Sequence, residues 1–204
     1  MNALAKMQEK EIFLRSFFEN SFFENTLFGT HLFELQAEHR VAKNLKKLEE
    51  EWLAITHVKQ IPILLNQHET TYFAALCSFS PRLARSVSLN SFEQLITQAK
   101  AAGLPLSLTL FCKGSKHTTH QAIISKQIKK NCLCLNWQEG HAELEPSQFE
   151  FAFISRVPCS DGCGWINSLE IFGADGELLL QIQGSCEDQQ AENLKLREIF
   201  SSLV

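Results

Sequence analysis

The clearest pattern of apolar and polar positions lies between residues 165 and 183. Two β-patterned runs, residues 165–172 and 177–183, flank the tetrapeptide Gly173-Ala174-Asp175-Gly176. In the second run, apolar side chains occupy every second position at Leu178, Leu180 and Ile182. A period of two on either side of an Asp-Gly turn is typical of a β-hairpin. The pattern therefore predicts a half-buried antiparallel sheet.

Four further stretches before this hairpin have strand character. Residues 106–111 and 149–154 alternate in the same way, residues 117–124 and 132–137 are two further predicted strands, and residues 113–116 predict a turn. Near the start of the chain, residues 26–35 could form an edge strand. With the hairpin, about six or more strands are expected, each following the previous one closely enough to pair antiparallel.

Helical spacing appears before and after these strands. Apolar residues three and four positions apart predict helices over residues 41–55, 91–102 and 191–203, and more weakly over 4–18. Ser91 and Gln94 form a capping-box pattern, and Gly103 is a stop signal. The order of elements predicts an α+β fold, an antiparallel sheet with helices packed before and after it. We expect an N-terminal extension over residues 1–40 and one domain over residues 41–204.

Composition narrows the functional classes. The chain has 204 residues, of which 45% are hydrophobic and 21% charged, enough for one domain with a sizeable core. A net charge of −4 gives no general attraction to nucleic acid or anionic membranes. No apolar run approaches the ~20 residues that a membrane span needs. The polar start is unlike a secretory signal, so we expect a cytoplasmic protein without membrane insertion.

Candidate chemistry is sparse. The glycine-rich, zinc-protease and nucleophile-elbow motifs are absent from the sequence. Free buried thiols are the usual state of cysteines in a reducing compartment, and a zinc site from Cys159, Cys163 and a distant histidine is a weaker alternative. His117 and His120, an odd number of positions apart on one strand, face opposite sides. His57 follows a helix, where a C-terminal cap is a more common role than a metal ligand. These patterns alone indicate only an α+β domain.

Residues 52–203 carry motifs that resemble the C-terminal half of the haemin-transport and haemin-degrading factors of the HemS type. The upstream match lies in Trp52-Leu-Ala-Ile-Thr56 and Leu64-Leu65-Asn-Gln-His68, and the next begins at Gly103-Leu104-Pro105. Two downstream segments match at the following positions: Arg156, Pro158, Asp161, Gly162, Ser168, Leu169, Glu170, Phe172, Gly176, Glu177, Leu178, Gln181, Gly184, Glu192 and Arg197.

The resemblance implies a fold and a class of function. Members of this family consist of two similar halves, each an antiparallel sheet with packed helices, and they bind haem in a cleft. A chain with one half leaves uncovered the sheet surface that the other half would cover. The resemblance therefore implies haem as cofactor, a role in haemin utilisation and iron transport, and a homodimer.

Departures from the family pattern fall on its haem-binding positions. The axial histidine of the family is replaced by Lys59, and the aspartate two residues earlier by His57. A lysine amine is mostly protonated at neutral pH and ligates iron poorly. A basic stretch of the family becomes Gly184-Ser185-Cys186-Glu187, and Arg156 is the basic position that remains.

Two hypotheses follow from the matches and the departures. In the first, the chain binds and traffics haem, with His57 or His68 as the iron ligand in place of Lys59 and Arg156 holding a propionate. In the second, the HemS-like fold has lost its haem site and acts as a protein-interaction or regulatory module. Haem degradation ranks third, because oxygen activation needs a secured axial ligand.

Overall fold

A computed structural model describes residues 41–112, 115–129, 132–138, 140–158, 164–184 and 194–203 of the chain. This part contains five α-helices and nine strands. The helices are α1 (Leu45–Leu53), α2 (Ile61–Gln67), α3 (Tyr72–Ser78), α4 (Asn90–Ala101) and α5 (Leu194–Ser202), with short 3-10 helices at Val58–Gln60 and Pro146–Gln148. The strands are β1 (Ala84–Val87), β2 (Pro105–Cys112), β3 (Ser115–Ala122), β4 (Ser125–Lys129), β5 (Cys132–Trp137), β6 (Gly140–Leu144), β7 (Phe151–Pro158), β8 (Trp165–Phe172) and β9 (Leu178–Gly184).

The strands form two antiparallel sheets. Six of them pair in the order β1-β7-β8-β9-β2-β3, and β4-β5-β6 form a separate meander. The predicted α+β class with an antiparallel sheet of about six strands is confirmed. A single series of strands was expected, and its division into two sheets was not. Strands β1, β4 and β6 escaped prediction because they are four or five residues long and show little apolar alternation.

The hairpin that organises the large sheet is confirmed. Strands β8 and β9 pair through Ser168↔Gln183 and Glu170↔Gln181. Gly176 has φ of +70°, a value that glycine adopts without steric cost, which fits the turn between the two strands. Residues 191–193 of the predicted C-terminal helix lie outside the described residues, as do the predictions for residues 4–18, 26–35, Cys159 and Cys163.

One face of the large sheet packs against α4, α5 and the small sheet. Its core contains buried side chains from β7 and β8, such as Ile154 and Leu169, together with Leu135 of β5 and Phe200 of α5. The predicted apolar stripe of α4 is buried at the following positions: Phe92, Leu95, Ile96 and Ala99. Ala102, predicted to end that stripe, is exposed beyond the last turn.

The predicted cap of α4 is wrong. The helix begins at Asn90, and Ser91 lies inside it with 3% of its surface exposed. Its hydroxyl donates to the carbonyl oxygen of Leu203 at 3.2 Å, which ties α4 to the end of α5. A serine hydroxyl can bond to a local amide or to a distant carbonyl, and here the tertiary contact takes it. The predicted stop at Gly103 is confirmed by its φ of +64°.

The other face of the sheet is covered at its β7–β8 end by the layer of α1 to α3, in which α1 and α3 contact the strands and α2 packs against α1. Phe73 of α3 contacts the rings of Phe151 and Phe172 at centroid distances of 5.3 and 5.2 Å. Trp52 of α1 is fully buried, packs on Phe79, and donates its indole N–H to the carbonyl oxygen of Arg156 at 3.1 Å. Both faces of β7 and β8 are therefore buried, which explains why seven of the eight residues in β7 are buried.

Helix α1 is shorter than the periodicity predicts. It is capped at its start by the Asn44 side chain, which accepts from the amide of Lys47 at 3.0 Å, and it ends at Leu53. His57 lies beyond this end and caps the start of the following 3-10 helix. The interpretation of His57 as a helix C-terminal cap is therefore wrong, because α1 ends at Leu53, two residues earlier than predicted, and His57 begins the next helix.

Within the described residues, none of the helices is long and apolar enough to cross a membrane.

Trp52 should be a main contributor to the docking of α1. Replacing Trp52 with Phe removes the bond to the Arg156 carbonyl and should lower the free energy of unfolding by about 1–3 kcal/mol; Trp52→Ala should cost about 3–5 kcal/mol. The neighbouring Leu53 is 57% exposed, so Leu53→Ala is a matched control that should change stability by about 0.5 kcal/mol or less. Urea unfolding measures all three, and equal losses for Trp52→Ala and Leu53→Ala would contradict the packing described here.

Candidate functional site

His57 occupies the N-cap of the 3-10 helix. Its Nδ1 accepts from the backbone amide of Lys59 at 3.1 Å, and its own amide donates to Gln60 Oε1 at 2.9 Å. Because Nδ1 accepts, a neutral ring carries its proton on Nε2. The ring therefore presents no free lone pair to a metal ion unless the cap opens or the proton moves.

Lys59 lies two residues further along, on the 3-10 helix itself, and is exposed. Its backbone amide is the donor to His57, so the two residues share one turn of chain. The exposed side chain lies at the position where the resemblance places the axial ligand of the family.

His68 caps the other end of α2 and is nearly buried, with 9% of its side chain exposed. Its Nε2 lies 2.7 Å from Glu51 Oε2, and this hydrogen bond is the largest cause of the lowered pKa of Glu51. A carboxylate on one ring nitrogen is how proteins commonly orient a metal-binding histidine. The arrangement leaves the Nδ1 lone pair of His68 as the potential ligand.

The structure does not bring the four predicted residues into one site. His57 and His68 lie at opposite ends of the segment formed by the 3-10 helix and α2. Arg156 projects from β7 on the same face as Ile154, toward α5, whereas α1 to α3 cover the opposite face. It lines a cavity of about 280 Å³ with Arg82, Arg85 and Arg197, and none of the other predicted residues lines this cavity.

A buried carboxylate that the sequence analysis matched to the family but did not predict as a site residue lies beneath α3. Glu170 of β8 has no exposed surface, and its Oε1 accepts from the Tyr72 hydroxyl at 2.5 Å and from Gln181 Nε2 at 3.0 Å. Among the described residues, neither Oε2 nor the hydroxyls of Ser155 and Ser168 make a hydrogen bond. These three orphaned oxygens belong to one buried polar cluster on β7 and β8.

The electrostatics of this cluster favour a protonated carboxyl. Burial raises the pKa of Glu170 to about 7, although the hydrogen bonds from Tyr72 and Gln181 oppose the shift. Burial also raises the pKa of Tyr72 well above its ordinary value, and the Glu170 charge adds to that effect. The Tyr72 hydroxyl therefore keeps its proton and donates a hydrogen bond to the carboxyl. The sequence signal for this buried carboxyl was an acidic residue flanked by apolar residues within a predicted strand.

Glu170 also begins a polar stripe across the sheet. The register places it beside Gln181, then Thr109, then Thr118, where the two threonine hydroxyls are 3.0 Å apart. A parallel row runs through the following residues: Ser155, Ser168, Gln183, Ser107 and His120. We call these two rows the polar stripe. The face covered by α1 to α3 is thus aromatic at one end and polar toward the β3 edge.

The described residues contain no group of three or more histidine, cysteine, aspartate and glutamate side chains that could hold a metal ion. Cys77 and Cys134 are buried free thiols, and Cys132 is a half-buried one. A metal bound through protein side chains alone therefore has no ready site in this part of the chain. A metal that brings its own equatorial ligands, as haem iron does, needs one or two protein ligands at most.

Comparison with known proteins identifies hemin transport proteins as relatives of this chain. No family model matches the chain. It is 28% identical over 162 residues to the hemin transport protein HmuS of Yersinia pestis, covering 77% of this chain and 45% of HmuS. It is 26% identical over 186 residues to the hemin transport protein HemS of Yersinia enterocolitica, covering 85% of this chain and 52% of HemS. This chain is a half-length relative of the HemS type.

Solved structures agree with this assignment. The heme degrading enzyme ChuS of Escherichia coli O157:H7 superposes with a TM-score of 0.73 at 25% identity, covering 79% of this chain and 48% of ChuS. The heme-binding protein ChuX has the same fold at a TM-score of 0.57 and 12% identity, and the match covers 70% of this chain and 88% of ChuX. The chain thus spans about half the length of its HemS-type relatives, whereas ChuX is matched over most of its own length.

Glu170 should make stability depend on pH near neutrality. Its pKa in the folded chain, about 7, lies above the ordinary 4.5, so the folded state binds more protons between these values. Its contribution to stability is complete below pH about 4.5 and is lost as the pH rises through about 7, by roughly 3 kcal/mol. Urea unfolding at pH 5 and pH 8 should show this loss in the wild type.

The variant Glu170→Gln should be much less sensitive to pH, because an amide does not titrate. The exposed Glu198 of α5 provides a control, and Glu198→Gln should keep the wild-type pH dependence. If Glu170→Gln lost as much stability between pH 5 and pH 8 as the wild type, another group would be responsible.

Proposed function

We propose that this chain binds haem and acts in haemin utilisation, as a haem-handling or haem-trafficking protein in iron acquisition. One observation carries the proposal: 28% identity to HmuS continues over 162 residues, 77% of the chain, so the similarity extends well beyond a single motif. Proteins described as hemin transport, heme degrading and heme binding share the fold.

The proposed haem site lies on the face that α1 to α3 cover in part. The 3-10 helix with His57 and Lys59 belongs to this helical layer, and the polar stripe continues the same sheet face toward β3. A flat macrocycle with one apolar body and two carboxylates suits a surface that changes from aromatic to polar along its length. Arg156 points to the other face of the sheet. A haem bound on the face of α1 to α3 would therefore have to extend a propionate around the β1 edge to reach it.

His57 is our first candidate for the iron ligand. Its ring lies on the same turn as Lys59, the position of the family's axial ligand, and releasing its cap costs about 1 kcal/mol, which is small beside an iron–imidazole bond. His68 is the second candidate, because Glu51 already orients its ring but the side chain is nearly buried. Lys59 is third, since its amine must lose a proton before it can bind iron.

A second copy of the chain is the partner we propose. The chain has half the length of its HemS-type relatives, and within the described residues β3 has no neighbour beyond it in the large sheet. An unpaired strand edge is a ready surface for association. A homodimer would supply the second half that the longer relatives carry in one chain. The cytoplasmic location expected from the sequence remains a prediction.

The alternative function, an interaction module without haem, is favoured by the state of the predicted ligands. The His57 ring caps a helix, the His68 ring is bonded to a carboxylate, and Lys59 replaces the family's histidine. In that case haemin should bind no better than to an unrelated apolar surface. Haem degradation ranks below both, because it requires an axial ligand that is already secured.

Haemin titration followed by the Soret band tests the proposal. We expect a saturable shift at one haem per chain, and His57→Ala should weaken binding by at least about tenfold because the iron–imidazole bond is lost. His141→Ala, an exposed histidine on β6, is the matched control and should bind like the wild type. His68→Ala tests the second candidate in the same way.

A saturable shift that persists in all three variants would keep haem binding but remove both histidines as ligands. A weak spectrum that never saturates would contradict the proposal and favour the interaction module.

A further inference from the structure

Four arginines from three parts of the chain meet at one cavity on the α5 side of the large sheet. Arg82 comes from the turn before β1, Arg85 from β1, Arg156 from β7 and Arg197 from α5. Trp165 and Leu194 add apolar walls, and the cavity holds about 280 Å³. This volume suits a small molecule or a charged group of a larger one.

The sheet register explains why the arginines converge. Arg85 on β1 lies opposite Ile154 on β7, and Arg156 follows Ile154 by two residues. The side chains of Arg85 and Arg156 therefore project to the same face of the sheet as a diagonal pair. Side chains in that relation are roughly 7–8 Å apart at their origins, within reach of two guanidinium groups. On α5, Leu194, Arg197 and Ser201 are spaced by three and four residues and form one wall.

The positive charge of the cavity has no counter-charge among the residues that line it. The lining contains no aspartate or glutamate, and within the described part of the chain none of the four arginines forms an ion pair. Arg85 donates to the carbonyl oxygen of Phe200 at 3.3 Å, and burial lowers its pKa. Like charges brought together and partly desolvated destabilise each other unless an anion joins them.

We propose that this arginine cavity binds an oxyanion group with two or more negative charges, such as a phosphate or a cluster of carboxylates. Guanidinium groups bind both by paired, charge-assisted hydrogen bonds, and their planar fork favours these anions over chloride. The site lies on the opposite face of the sheet from α1 to α3. It is therefore distinct from the proposed haem face, and the proposal stands whether or not haem binds there.

The backbone around the cavity is fixed independently of any ligand. The amide of Arg156 donates to the carbonyl oxygen of Leu83 at 2.8 Å, and its carbonyl accepts from Trp52. The turn that carries Arg82 is thereby held against β7. Such a preformed arrangement reduces the conformational entropy that binding must overcome.

Thermal unfolding in sodium phosphate, compared with sodium chloride at equal ionic strength, tests the site in the full chain. Phosphate should raise the melting temperature in a saturable way, because a ligand that binds only the folded state stabilises it. Arg156→Gln and Arg197→Gln change exposed side chains, and each should weaken phosphate binding by at least about tenfold. Arg156→Lys keeps the charge but loses the fork, so it should weaken binding less.

Lys100→Gln removes an exposed positive charge from the end of α4, outside the cavity, and is the matched control. Equal losses in Lys100→Gln and the arginine variants, or stabilisation that follows ionic strength alone, would overturn the proposal. Citrate in place of phosphate shows whether clustered carboxylates serve as well.

Haemin titration of the same variants separates this site from the proposed haem site. Lost phosphate binding with unchanged haemin binding would support a site for a free oxyanion. Loss of both, with phosphate competing against haemin, would also support an oxyanion site and would identify propionates as its ligand. Phosphate binding that persists in Arg156→Gln and Arg197→Gln would overturn the site, whatever haemin does.

Discussion

The structure depends on the burial of β7 and β8 from both sides. On one side, Ile154 and Leu169 pack against α4, α5 and the small sheet. On the other, the aromatic cluster around Phe73 packs α3 onto the same strands. Strands covered on both faces are buried at nearly every position, and the polar side chains of Ser155, Ser168 and Glu170 are buried with their apolar neighbours. The indole hydrogen bond from Trp52 to the Arg156 carbonyl links α1 to β7.

This double burial has a chemical consequence. The Glu170 carboxyl lies where helix α3 excludes water, so its charge is disfavoured and its pKa rises to about 7. The stripe of polar residues that begins there runs beyond the helical layer. It continues the face from its covered, aromatic end to the β3 edge, where we propose that a haem or a second copy of the chain binds. The four arginines lie on the opposite face of the sheet, and the ligand that we propose for them is an oxyanion.

Elements determined by local pattern were predictable, and contacts between distant segments were not. The hairpin, strand β5 and the buried stripe of α4 follow from periodicity and turn residues. Ser91 was misassigned because its hydroxyl binds Leu203, and Glu170 was missed because Tyr72, 98 residues away, buries it. Resemblance pointed to His57, Lys59, His68 and Arg156, but strand parity alone places Arg156 with Ile154, away from the helical layer. The convergence of Arg82 and Arg197 on Arg156 required the tertiary structure.

The central claim is that one sheet carries two sites, with haem on the face of α1 to α3 and an oxyanion on the face of α5. Amide hydrogen exchange with and without haemin tests it most directly. We expect haemin to slow exchange in residues 57–68 and in β9, and to leave α5 and residues 82–85 unchanged. Slower exchange confined to α5 and residues 82–85 would contradict this account, because haem would then occupy the arginine cavity.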